Sequence, residues 1–219
     1  MSSRPEILFP LFAGAETLKG VGPKTAQNLL QIGLETPRDL LFSLPYSVLD
    51  RRRRSTIRGL ELPGIATVEV TIGSHRPARN KGGAYRINVT DQEEEFQLVF
   101  FHGRSRYLEA QCPEGARRLV SGKLELFDGM AQMVHPDHMV PLAEAAEIPE
   151  FEPVYPLTHG VTQKTMSKAI RSAFERLPVL AEWADPEQLK RETWPSWEEA
   201  IRQAHSPQGQ EDLEPETPA

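Results

Sequence analysis

Apolar positions recur at helical spacing over the first sixty residues, switch to alternation with polar ones from about Ala66, and return to helical spacing after about Thr162. In the first stretch, Pro23 suits the opening position of a helix running to about Ile32, with Ala26, Leu29 and Leu30 on one face and Gly33 as its stop. Thr36 then caps a second helix, Pro37 opens it, and Leu40, Leu41 and Leu44 form its stripe until Pro45. Together they predict a helical hairpin. The alternating stretch predicts five strands, at 67–72, 85–90, 95–101, 117–126 and 130–140, bounded by turns such as Gly82-Gly83 and Asp128-Gly129. A short helix over 104–111 separates the third strand from the fourth. Five strands interrupted there describe an OB-fold barrel, although an SH3-like barrel has a similar strand count. Phe100 and Phe101 face opposite sides of their strand, so one belongs to the core and the other lies exposed or covered by a neighbouring element, with packing the expected role of both.

Residues 143–155 are acidic, carry Pro149 and Pro153, and read as a connector. Thr162 caps a helix in which Met166, Ala169, Ile170, Ala173, Phe174 and Leu177 recur, with Lys164, Lys168 and Arg171 on other faces. A last helix, about 196–204, buries Trp197, Ala200 and Ile201. The acidic, proline-bearing end beyond Ser206 has the composition of a disordered linker. The expected class is α+β: a helical segment over 1–60, a barrel over 61–145, connector and helices over 146–205, and a linker over 206–219.

A chain of 219 residues with 39% hydrophobic content can build a real core. It holds no run of eighteen apolar residues and begins with the polar Met1-Ser-Ser-Arg-Pro5, so the expectation is a cytoplasmic protein. The single cysteine, Cys112, cannot form an internal disulfide and leaves too few thiols for a zinc site. A net charge of −6 argues against a uniformly basic nucleic-acid binder, but the charge is uneven: +4 over 1–60, −2 over 61–142 and −8 over 143–219. The N-terminal part can therefore offer a cationic face to phosphates.

Three constellations could do so. Lys19-Gly20-Val21-Gly22-Pro23-Lys24 resembles the turn of a helix-hairpin-helix, whose glycines let the backbone approach a phosphate, so Lys19, Gly20, Gly22 and Lys24 are candidates; the plainer reading is a turn using glycine for its angles. Pro23 breaks any likeness to a nucleotide-binding P-loop. Arg51, Arg52 and Arg53, in a run of four arginines, are either solvated or meet phosphates. The loop joining the first two strands carries Arg76, Arg79 and Lys81 without an acid, in a position that contacts nucleic acid in OB folds. Tyr85 at its exit could stack on a base, or alternate with Ile87 and Val89 into the core. Arg86, on the opposite face, is a further candidate. His135-Pro136-Asp137-His138 lacks the further ligands and geometry of a metal site, Glu93-Glu94-Glu95 looks like a solvated turn, and no catalytic spacing stands out.

The order of the pieces is more specific than any one of them. Leu18-Lys-Gly-Val-Gly-Pro-Lys24, Asp39-Leu-Leu-Phe-Ser-Leu-Pro-Tyr46 with Asp50-Arg51-Arg52, Val99-Phe-Phe-His102, Val120-Ser-Gly-Lys123, Gln132-Met-Val-His-Pro136, the run from Pro153 to Thr165 and that from Trp194 to His205 follow one another as they do in the N-terminal region of the RecG helicases, which the chain closely resembles over about 5–207. The resemblance implies an OB-type wedge at the junction of a stalled replication fork, with branched and single-stranded DNA and the helicase motor lobes as partners, acting as a monomer in repair and recombination. Basic and aromatic residues around 76–86 would steer or stack the strands. ATP and Mg²⁺ would serve motor lobes that this sequence does not include, so no ATP hydrolysis is expected of it alone. The alternatives are a stand-alone OB-fold module binding single-stranded DNA or a protein partner, and a fragment inactive without its motor.

Overall fold

The computed structural model describes residues 4–78, 80, 82–101 and 105–213. In chain order they form α1 (Pro23–Leu30), α2 (Pro37–Leu41), β1 (Ser47–Asp50), β2 (Gly64–Arg76), β3 (Ala84–Thr90), β4 (Glu95–Phe101), α3 (Ser105–Gln111), β5 (Arg117–Phe127), β6 (Met130–Val134), β7 (His138–Pro141), β8 (Phe151–Val154), α4 (Gln163–Phe174), α5 (Pro186–Glu192) and α6 (Trp197–Ala204). They divide into two compact units, residues 50–150 and residues 1–49 with 151–219. The expected helical segments at the two ends of the sequence thus belong to one unit, because their apolar faces share a core: Leu18, Leu29, Leu40 and Leu41 from one, Tyr155, Met166, Ala169 and Ile170 from the other.

In the first unit β2, β3, β4, β6 and β5 are neighbours in that order, and β2 pairs with β5 to close the ring. The β4–β6 pairing is parallel and the others are antiparallel. With α3 inserted between β4 and β5, this is the Greek-key OB topology. Inward positions alternate along each strand, Val68, Val70 and Ile72, then Tyr85, Ile87 and Val89, then Phe96 and Leu98, and fill the interior with Leu124 and Met133. β2 is longer than its alternation suggests because it serves two partners, β5 through residues 64–71 and β3 from Thr71 onward. A register shift between Ile72 and His75 bends it around the barrel, and Gly73 permits the close approach: a Cβ there would lie 2.9 Å from the Asn88 carbonyl oxygen. The expected strand over 130–140 is split, since His135 takes φ 48° ahead of Pro136, which offers no N–H.

In the second unit the residues before the glycine turn are not α-helical. They form 3₁₀ turns, Glu6–Phe12 and Ala15–Thr17, so only the helix after the turn matches a helix-hairpin-helix. Thr36 and Asp39 make a reciprocal capping box on α2, and Thr162 caps α4 as expected. The connector over 143–155 contains β8, which pairs with β1. Strands of four residues give too few alternations to register as a period. α5 likewise leaves no apolar period in the sequence, having no buried residue to mark a face. α6 is capped by Ser196, but Trp197, Ala200 and Ile201 are half-buried rather than buried. His205 follows it into the core, where its Nε2 donates to the Leu41 carbonyl at 2.9 Å and its Nδ1 lies 2.9 Å from the Tyr155 hydroxyl. A 3₁₀ turn, Gln210–Leu213, falls within the expected linker. Among the described residues no helix is long and apolar enough to cross a membrane.

Candidate nucleic-acid interface

The β2–β3 hairpin sets its charges by register. Arg76 stands directly opposite Arg86 across the antiparallel pair, so two guanidinium groups share one side of the sheet. Like charges placed directly opposite repel. Neither has a carboxylate or hydrogen-bonding partner for its side chain among the described residues, and Arg76 is exposed while Arg86 is half-buried. An anion between them would relieve the repulsion, and phosphate oxygens suit the planar donor fork of arginine. Arg79 and Lys81, in the loop between, lie outside the described residues.

The same outer surface continues across β3 and β4. Asn88 donates to the Ser74 hydroxyl at 3.0 Å and accepts from the Gln97 side-chain amide at 3.1 Å, a polar ladder across three strands. Ala84 pairs with Phe101, which places the Phe101 ring on the side that carries Arg86, and that ring is 46% exposed. His135 fixes its position: the Phe101 backbone N–H donates to His135 Nε2 at 3.2 Å, and the ring centroids are 5.8 Å apart. Phe100, the inward neighbour, packs against the barrel core. This resolves the pair by role, packing for Phe100 and a solvent-facing ring for Phe101. An exposed aromatic on the same side of the sheet as two arginines without a carboxylate partner has the chemistry to stack a base next to a phosphate.

Tyr85 does not provide that platform. It is only 2% exposed, and its hydroxyl lies 2.7 Å from His75 Nδ1 and donates to Glu109 at 3.5 Å. Burial, with the Glu109 charge behind it, raises the pKa of the hydroxyl above the ordinary tyrosine value. The alternation with Ile87 and Val89 prevails, and the ring could reach a base only by leaving the core. Arg51 is a second correction. Its guanidinium is buried, donating to Ser121 Oγ at 2.9 Å and to the Asp137 carboxylate at 2.9 Å, so it braces the barrel wall instead of meeting phosphate. Arg52 closes on Asp50 through Nε and Nη2. Arg53 is exposed on the next position. Of the four arginines only Arg51 is buried; Arg52, Arg53 and Arg54 are exposed. Asp137, part of the His-Pro-Asp-His run, is engaged by Arg51, and no group of metal-binding side chains occurs among the described residues.

In the helical unit Gly20 adopts φ +83°, a conformation that favours glycine, and the Lys19 N–H donates to Ser172 Oγ at 3.0 Å. The Lys19 ammonium pairs with Glu175 at 2.7 Å. Gly22 is the extended residue capping α1, with open space around it, and Lys24 is exposed in the first turn. These residues do not share a unit with the arginine pair on the barrel.

The chain is similar to known proteins over most of its length. A family model described as the RecG wedge domain matches residues 16–177. The ATP-dependent DNA helicase RecG of Pasteurella multocida is 31% identical over 196 residues, and that of Escherichia coli K12 is 30% identical over 197; each alignment takes in 87% of this chain and 28% of the relative. The chain therefore spans little more than a quarter of the curated relatives it matches. A solved structure of RecG bound to a three-way DNA junction superposes with a TM-score of 0.75 at 24% identity, covering 92% of this chain and 28% of that one.

Proposed function

The chain belongs to the RecG wedge domain family, and from that premise we propose that it binds branched DNA and holds strands apart where they diverge, as the wedge of a larger ATP-driven helicase acting in repair and recombination. The observation that carries this reading is the facing pair Arg76 and Arg86 beside the exposed Phe101 ring, on the barrel surface that OB folds use for oligonucleotides. The related RecG structure in complex with a three-way junction supports the choice of branched over linear DNA. On this reading ATP and Mg²⁺ are used by the part of such a helicase outside the matched 28%, and the wedge acts as a monomer on single strands leaving the fork.

The barrel performs no bond chemistry. Unpairing a duplex costs about 1.4 kcal/mol per base-pair step on average. Stacking an exposed base on an aromatic ring returns about 1 to 3 kcal/mol. Phe101 can therefore offset one step while the two arginines grip the adjoining phosphates, and a motor pulling on the duplex supplies the direction.

The test is a fluorescence-anisotropy titration of the 219-residue chain with a three-way junction and with linear duplex and single-stranded controls. Phe101→Ala is expected to remove the preference for the junction while leaving the salt dependence unchanged. R76Q/R86Q is expected to weaken junction binding about tenfold and lower the slope of log affinity on log salt by about 1.4, two single-strand phosphate contacts at about 0.7 each. A chain that binds the single strand more tightly than the junction before mutation would instead favour a plain single-strand binder, and equal binding to all three DNAs would remove the branched-DNA reading.

A further inference from the structure

A second cationic surface lies on the helical unit. Lys164, Lys168 and Arg171 are exposed and spaced by four and three residues along α4, which puts them on one face of the helix, opposite the buried Met166, Ala169, Ile170 and Ala173. Seven residues of helix span about 10 Å at 1.5 Å per residue. The lysine in the middle of this stripe is held in place: its side chain lies across Gly20, so that a Cβ built there would come within 2.8 Å of the Lys168 Cδ and Cε. The glycine turn and the helix therefore meet at Lys168, and Lys24, in the first turn of α1 just after that glycine turn, is exposed as well.

The charge on this surface is largely unneutralised. Glu175, at the end of the stripe, is taken by Lys19 at 2.7 Å, and Arg176 is directed to the Thr17 carbonyl at 3.0 Å. Among the described residues Lys164, Lys168 and Arg171 have no carboxylate partner and no side-chain hydrogen bond. The surface also differs in kind from that on the barrel. No aromatic or large apolar side chain is exposed along this face of α4, so it offers nothing for a base to stack on and no apolar side for insertion into a lipid surface. Rigidly spaced cations without stacking partners fit the regular phosphate backbone of a duplex, which carries one phosphate per 3.4 Å of axis on each strand.

We infer that Lys164, Lys168 and Arg171 on α4, with Lys24 beside the Gly20 turn, form a second DNA-contacting surface, one that takes the phosphate backbone of an intact duplex arm without regard to sequence. This surface does not depend on the barrel reading. The test is binding of the full chain to a short blunt duplex and to oligothymidine across a salt series. K164Q/K168Q/R171Q is expected to reduce duplex affinity at least tenfold and to lower the salt slope by about 2.7, three contacts at about 0.9 each, with oligothymidine binding unchanged. K164Q/R171Q, which leaves Lys168 packed on the turn, should lower the slope by about 1.8 and guards against loss of fold. R76Q/R86Q should leave blunt-duplex binding intact, so failure of the barrel reading and failure of this one give different results. An unchanged slope in both α4 variants, or the same loss on oligothymidine as on duplex, would overturn the inference. So would binding of the unmutated chain to anionic vesicles with the same lysine dependence.

Discussion

Tyr85, Cys112 and His205 are buried groups with chemistry that the interior suppresses. Replacing Tyr85 by Ala should cost about 3 to 5 kcal/mol in urea unfolding, the range for emptying a buried aromatic site, whereas Tyr85→Phe loses only the hydroxyl contacts and about 1 kcal/mol. Cys112 is fully buried beside the Met139 sulfur at 3.0 Å, and burial pushes its thiol up to about 11, so a disulfide reagent should label it only after denaturation. His205 is held neutral: burial lowers its pKa below the usual 6.5, against the opposing pull of the Leu41 carbonyl bond. The unfolded chain then binds the proton more readily than the folded one. Stability of the helical unit should therefore be full above pH 6.5 and fall as pH drops toward the lowered folded value, a dependence that His205→Gln should flatten in thermal melts at stepped pH. At this scale the sequence was legible where alternation was respected. The pattern Tyr85, Ile87, Val89 places the ring inside, and the attraction of Tyr85 as a stacking residue came only from its position next to a cationic loop. The same alternation marks Phe101 as the outward member of its pair, but only the Ala84–Phe101 pairing shows that it shares a side with Arg86.

Elements were legible in proportion to their length and to the strength of their punctuation. The long alternating strands and the helices opened by Thr36, Thr162 and Ser196 stand close to their expected places, because each combines a period with a capping residue. β1 and β8 did not, since four residues paired across about a hundred others leave no local trace. The curvature of β2 was hidden as well, because a bulge is a relation between two strands. Its weight can be measured at Gly73: Gly73→Ala must displace either strand at a 2.9 Å contact with the Asn88 carbonyl, and a loss of about 1 to 3 kcal/mol, read as an earlier urea midpoint, is expected. At α6, Ser196→Ala removes the hydroxyl that accepts from the Glu199 N–H, while the Ser196 N–H keeps its bond to the Glu199 carboxylate at 3.0 Å; the change should cost about 1 kcal/mol, seen as reduced helix content in the C-terminal region.

At the scale of the whole molecule, the barrel over 50–150 is inserted into a helical unit made from both ends of the chain. It has its own core, and it begins and ends at hydrogen-bonded neighbours, the Arg51 N–H donating to the Glu150 carbonyl at 2.7 Å. Residues 50–150 expressed alone should therefore fold cooperatively and retain the binding attributed to Arg76, Arg86 and Phe101. A disordered or aggregated product under conditions where the full chain is folded would refute that autonomy. This arrangement leaves no mark in the pattern of residues, since two helical stretches separated by strands look the same whether or not they share a core.

The insertion also dictates an order of assembly. Residues 1–49 can join 151–219 only by closing a loop of about a hundred residues, a loss of chain freedom worth about 4 kcal/mol when the intervening segment is unstructured. Once the barrel has formed, its ends are already adjacent and most of that cost is gone. Barrel formation should thus precede and accelerate maturation of the helical unit during synthesis. A lesion in the barrel interior, far in sequence from Leu29 or Met166, should slow the appearance of a native helical core even where every contact in that core is intact.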